Sequence, residues 1–200
     1  MSLPPRPEHS SLPLGHVSIG DCAFALKPVL LTTVLGSCVC VTFHHPGRKA
    51  GGMFHAMLPD RGLRRNTSQS RTCTFADLAV DSMLERFAAA GMPAQELTVK
   101  IFGGANTLEA SFKPGLRDML DVGRKNVEAA LATLAAHGLA PARQDVLGPQ
   151  GRKLFFATAT GEVWVSYLTP ELARRAIARQ KQEALEQAAL AGGKRREGGE

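Results

Sequence analysis

At 200 residues, with 44% hydrophobic and 21% charged residues, the chain is long enough for one well-buried core and too apolar for disorder throughout. Aromatics amount to 6%, with a single Trp and a single Tyr, which argues against a nucleic-acid platform of stacked rings. The net charge of +6 gathers in polar stretches (Arg61, Arg64, Arg65 and Arg71; Lys194, Arg195 and Arg196). It reads as solvated charge that favours encounter with an acidic protein partner rather than as a polyanion site.

Residues 1–14 are proline-rich and polar, and are expected to form an unstructured lead-in without the apolar stretch of a secretory signal. Nothing approaches the run of apolar residues that a membrane-spanning helix needs. Val29–Val34 is a β-branched run that suits a buried strand; Gly36 interrupts it, and a second strand is expected over Val39–Phe43. His44 to Lys49 reads as a turn around Pro46-Gly47, and Ala50–Leu58 as a third extended segment. Short strands with tight turns predict antiparallel neighbours here. After a polar loop over Arg61–Thr72, the spacing of Phe75, Ala76, Ala79, Val80, Met83, Leu84 and Phe87 predicts a helix that Gly91 stops. Leu97–Phe102 reads as a strand ending in Gly103-Gly104. A second helix runs from about Gly123 to Ala136, and Gly138 ends it. Ala142–Leu147, Leu154–Ala159 and Val163–Tyr167 close the set of strands. From Thr169 and Pro170, an N-cap and first-turn pair, a polar helix is expected as an appendage outside the core.

The whole reads as one mixed α/β domain over 15–168, with a helix over 169–191 and a basic disordered tail over 192–200. The four cysteines, Cys22, Cys38, Cys40 and Cys73, have neither zinc-ligand nor thioredoxin spacing, so no metal and no cofactor is expected. Reduced thiols in a cytoplasmic protein are the simplest account.

A nucleophilic cysteine needs an accessible corner, a histidine within reach, a group to orient that histidine, and N–H donors for the oxyanion. Leu35-Gly36-Ser37-Cys38 supplies a corner at which Gly36 permits a sharp turn. Gly51-Gly52-Met53-Phe54-His55 supplies a neighbouring strand that the Pro46-Gly47 turn folds back, so that His55 can return towards Cys38. A one-residue slip of register would send His55 to the opposite face. Cys22, Cys40 and Cys73 read as small buried hydrophobes.

The wording around these residues resembles the CheD family of chemoreceptor glutamine deamidases. Five collinear stretches carry the resemblance: Val34-Leu35-Gly36-Ser37-Cys38-Val39, Gly51 to Pro59, Lys100 to Ala105, Gly123-Arg124-Lys125-Asn126-Val127 and Gly151-Arg152-Lys153. The resemblance implies a layered α/β sandwich with mostly antiparallel strands, like the catalytic domain of deamidating bacterial toxins. It also implies a Cys-His-Thr triad of Cys38, His55 and Thr32. Thr33 is adjacent, and because strand residues alternate in facing, only one of the two threonines can reach His55. Ser37 and Asn106 are candidate substrate contacts. The implied reaction converts a glutamine side chain of a methyl-accepting chemotaxis receptor into glutamate and ammonia through a Cys38 thioester, and the phosphatase CheC is a further partner known for the family. The chain departs from the family where a glycine pair is replaced by Leu147-Gly148, followed by Pro149. A cysteine peptidase or acyltransferase, and a non-catalytic regulator that binds receptor or CheC, are the competing readings.

Overall fold

A computed structural model describes residues 11–60, 72–106 and 121–169, together with 171–173, 175, 176, 178, 179 and 182 of a C-terminal helical segment. The basic loop around Arg65 and the basic C-terminal tail lie outside these residues. Among the described residues, two sheets and two α-helices form three layers. The first sheet has the order β1-β3-β8-β9, made of Leu14–His16, Leu30–Leu35, Gly151–Ala157 and Val163–Leu168. The second has the order β2-β5-β4-β6-β7, made of Cys22–Ala25, Ala50–Ala56, Val39–His45, Thr98–Gly103 and Arg143–Val146. Pairing is antiparallel except between β1 and β3 and between β6 and β7, so the expected mostly antiparallel α/β sandwich is the one observed.

Alternation along the strands of the second sheet decides the layers. Val39, Val41 and Phe43 of β4, Phe54 and Ala56 of β5, and Val99 and Ile101 of β6 turn to one side. There they meet α1 (Ala76–Ala89) and α2 (Val122–Ala136) in a core closed by Met83, Phe87 and Leu134. Cys40, Met53 and Phe102 turn to the other side and meet Leu31, Leu35, Leu154 and Phe156 of the first sheet.

Three sequence expectations change in the structure. The strands before and after Gly36 are not hairpin partners: β3 pairs with β8 and β4 pairs with β5, so the Gly36–Cys38 corner carries the chain from one sheet to the other. His44 and His45 are buried residues at the end of β4 rather than turn residues, and His45 Nε2 lies 2.8 Å from Glu96 Oε2. Two short strands, β1 and β2, went unrecognised, because three and four residues are too few for a periodic signal. The C-terminal segment is helical where described, and its Ala173 is 4% exposed, held against the backbone of β8 at Gly151.

Leu147 takes a left-handed φ of 63°, a conformation that costs a residue with a Cβ about 1–2 kcal/mol. Its N–H donates to Gly103 O at 2.8 Å and its carbonyl accepts from Arg152 at 2.7 Å, which holds the turn in place. Arg152, 4% exposed, also reaches Asp145 Oδ1 at 2.9 Å, and so ties an edge strand of the second sheet to the first.

The first turn of α2 lies against the loop after β6. A Cβ on Gly123 would stand 2.7 Å from the Gly104 carbonyl oxygen, with backbone on both sides of the clash. Gly123→Ala should therefore push α2 off the sheet and lower unfolding stability by about 1–3 kcal/mol, measured by urea denaturation.

Candidate active site

The site is built where three pieces of backbone meet: the Gly36–Cys38 corner, the end of β5, and the loop after β6. The β4–β5 register sets Cys40 opposite His55 and Val39 opposite Ala56. Cys38 is two residues before Cys40, and both pack on the layer between the sheets. His55 shares its strand face with Met53 of that same layer. Parity thus sets Cys38 and His55 on one face as diagonal neighbours. The imidazole lies inside, 1% exposed, and Cys38 is partly exposed at the rim. His55 Nε2 has no hydrogen-bond partner, so no sulfur–imidazole hydrogen bond is made in this state.

Burial separates the cysteines further. Cys40, directly across from His55, is fully buried and burial pushes its thiol up. Cys22 is opposite Phe54 and packs towards the helices, on the face His55 does not share. Its thiol is brought down to about 7, first by a hydrogen bond with Cys73 and then, against the opposing effect of burial, by the Arg86 charge. Cys38 is the cysteine that combines exposure with the His55 face.

The threonine that touches His55 is Thr33, not Thr32. Thr33 Oγ1 lies 2.8 Å from His55 Nδ1 and donates to Val17 O at 2.7 Å. Thr32 points to the opposite face of β3, where its hydroxyl donates to Leu154 O at 2.8 Å and it lines a groove with His16, Val34 and Lys153 under the C-terminal helical segment. The physical reason is strand alternation: Leu31, Thr33 and Leu35 face the second sheet, and Thr32 cannot. The hydroxyl has one proton, and the Val17 carbonyl can only accept it. The Thr33 oxygen therefore accepts from His55 Nδ1–H, which fixes the tautomer and leaves the lone pair on Nε2.

Burial lowers the His55 pKa from 6.5 to about 4, against the Val17 carbonyl, which raises it, and with a smaller lowering by His16. The ring is thus neutral through the physiological range.

The corner itself is held from behind. Gly36 O accepts from Ala105 N–H at 2.8 Å and Cys38 O from Gly104 N–H at 2.7 Å. Ser37 O accepts from the Asn126 side-chain amide at 2.9 Å. Gly103 and Gly104 have φ of 106° and 65°, and a Cβ on Gly103 would strike the Cys38 carbonyl oxygen. The left-handed backbone at this corner lies at the glycine pair and not at Gly36. Asn106 is next along that loop, with its N–H donating to Gly148 O at 2.8 Å and its amide 3.4 Å from Asp121. Ser37 is partly exposed beside Cys38. Asp121, 5% exposed, caps α2 by accepting from Arg124 N–H at 3.0 Å. Sequence reasoning missed both Asp121 and Asn126, although an Asp two residues before a helix-opening glycine is a recognisable cap signal. Among the described residues, no group of His, Cys, Asp and Glu is arranged to hold a metal ion, and no helix is long and apolar enough to cross a membrane.

A family model described as CheD chemotactic sensory transduction matches residues 57–167, beginning just after His55. A probable chemoreceptor glutamine deamidase CheD of Nitratidesulfovibrio vulgaris is 49% identical over 154 residues, covering 76% of this chain and 76% of the relative. The chain belongs to the CheD family. The similarity extends to a probable chemoreceptor glutamine deamidase CheD 2 of Geobacter sulfurreducens, 42% identical over 80% of this chain and 93% of the relative. It extends also to a probable chemoreceptor glutamine deamidase CheD of Methanococcus maripaludis, 36% identical over 74% and 92%. Among solved structures, the hypothetical protein YfiH of Bacillus licheniformis aligns over 64% of this chain and 51% of its own at TM-score 0.42 and 14% identity.

Two predictions distinguish this CheD-family site. In nitrogen NMR at neutral pH, His55 should be the Nδ1–H tautomer, and Thr33→Val should populate the other tautomer while Thr32→Val leaves it unchanged. The second concerns acid stability. Between pH 6.5 and about 4 the unfolded chain binds a proton that folded His55 refuses, so stability is full above this window and falls as pH drops through it. The loss should total roughly 3 kcal/mol, and a urea series across that window on His55→Gln should lack it.

Proposed function

We propose that this protein is a chemoreceptor glutamine deamidase, in which Cys38 is the nucleophile, His55 the proton carrier and Thr33 the residue that orients His55. The observation that carries the reading is the buried Thr33–His55 hydrogen bond, which leaves a lone pair at Nε2 on the face that Cys38 shares. The relatives' names supply the reaction class and the receptor substrate.

The chemistry follows from these positions. The substrate carboxamide enters over the exposed rim at Cys38. Nε2 takes the thiol proton as sulfur attacks the carbonyl carbon, and the oxyanion forms on the former carbonyl oxygen. The imidazolium then gives its proton to the departing nitrogen, so ammonia leaves and a thioester remains. Water, deprotonated by the same Nε2, attacks the thioester; sulfur leaves, regains its proton, and the side chain is now glutamate. A neutral ring in the resting enzyme suits this cycle, because a histidine that already carried a proton could not accept the one from sulfur. The sulfur–imidazole contact closes when substrate is bound, as apo sites of this kind often hold catalytic hydrogen bonds long.

The backbone supplies the oxyanion site. In a trans peptide the N–H points away from the carbonyl of the preceding residue. With Gly36 O turned to Ala105 and Ser37 O to Asn126, the Ser37 and Cys38 N–H groups are directed away from that supporting layer. Such a donor typically contributes on the order of a hundredfold in rate. Replacing a neutral glutamine by a charged glutamate on a receptor helix changes helix packing and signalling. CheC is retained as a candidate regulator on the family resemblance alone.

Mass spectrometry of receptor cytoplasmic fragments is the test. Wild-type protein should convert specific glutamines to glutamate, and Cys38→Ala should abolish this without loss of fold. Thr33→Val should reduce turnover about tenfold or more, whereas Thr32→Val should leave it within a fewfold. Unchanged glutamines with folded wild-type protein would sink the deamidase reading; conversion by Cys38→Ala would sink the role of the cysteine.

A further inference from the structure

We propose that Asn126 is a positioning residue that sets the direction of the Cys38 backbone amide, an inference that rests on Cys38 being the nucleophile. Asn126 is fully buried on α2. Its side-chain amide donates to two carbonyls, Ser37 O at 2.9 Å and Met57 O at 3.1 Å. One belongs to the peptide that joins Ser37 to Cys38, and the other lies two residues beyond His55.

These two carbonyls sit where the β4–β5 ladder stops. Its last paired residues are Val39 and Ala56, so Ser37–Cys38 and Met57 occupy the position of the next rung, and the backbone no longer pairs there. One NH2 group with two protons takes over that rung from the third layer. The nucleophile corner and the strand bearing His55 are thereby referred to a single side chain. Gly123 and Gly104 permit the approach, since a Cβ on Gly104 would strike Val127 and one on Gly123 would meet the Gly104 carbonyl.

The peptide geometry gives the consequence. Holding Ser37 O towards α2 aims the Cys38 N–H the opposite way. Without the Asn126 donors, the Ser37 and Met57 carbonyls lose these two hydrogen bonds, and the Ser37–Cys38 peptide loses the bond that orients its carbonyl. Asn126 Oδ1 is itself buried without a partner. Among the described residues, the only other buried side-chain N or O in that condition is His55 Nε2. A residue serving α2 packing alone gains nothing from an amide here, since the neighbouring positions on that helix face are apolar.

The test compares wild type with Asn126→Leu, which keeps the branching and loses both donors, and Asn126→Asp, which keeps the shape and cannot donate to both carbonyls. Folded fraction is fixed by near-ultraviolet circular dichroism, and rates are expressed per folded molecule. The kcat for receptor-fragment deamidation should fall about tenfold or more in both variants, with KM within about threefold. Alkylation of Cys38 by iodoacetamide, which forms no oxyanion, should change less than about threefold. A kcat per folded molecule equal to wild type overturns the proposal, as does an equal fall in alkylation, which would place the effect on the thiol. Should wild-type protein leave every glutamine unchanged, the burst of Cys38 acylation by p-nitrophenyl acetate replaces deamidation, because that attack also needs its oxyanion held. Equal bursts in wild type and Asn126→Leu, or no burst in wild type, would then overturn it.

Discussion

One hydrogen bond between the two sheets organises this molecule: Thr33 of the first sheet to His55 of the second, with Val17 O holding the far side of the hydroxyl. It is made in a layer otherwise filled by Leu31, Leu35, Met53, Phe102, Leu154 and Phe156, where an unpaired polar group is costly. Giving the hydroxyl proton to the carbonyl satisfies both contacts at once, and that arrangement selects the Nδ1–H tautomer. That tautomer leaves Nε2 as an acceptor, and burial keeps the resting ring neutral. Sheet-to-sheet packing, proton position and basicity are therefore one constraint.

The sheet crossing at Gly36–Cys38 follows from the same geometry. Because β3 and β4 belong to different sheets, the segment between them must pass over the edge of the layer that contains His55. A residue at that crossing is close to a buried imidazole and also in contact with solvent. Cys40, two residues further along, has the same facing and none of the access. Access to sulfur here is decided by position along the strand as much as by its facing.

Support for the corner comes from the opposite layer, through Gly103, Gly104, Gly123 and Asn126. The glycines let backbone meet backbone where a Cβ would collide, and the Asn126 amide satisfies carbonyls that the ended ladder leaves over. The stretches around Lys100–Ala105 and Gly123–Val127, far apart in sequence, form one support behind Cys38.

The sequence by itself determined the elements with clear periodicity, namely α1, α2 and most strands, and it singled out Cys38 and His55 by their glycine-marked surroundings. It could not choose between Thr32 and Thr33, or pair β3 with β8 rather than with β4. All six residues of β3 are buried, so the strand has no polar face to betray which side meets the other sheet. Which threonine touches the histidine depends on how one sheet is laid on the other. The role of Asn126 depends likewise on where a helix meets the end of a ladder. These are contacts between residues distant in the chain, and local pattern carries no trace of them because no local energy depends on them.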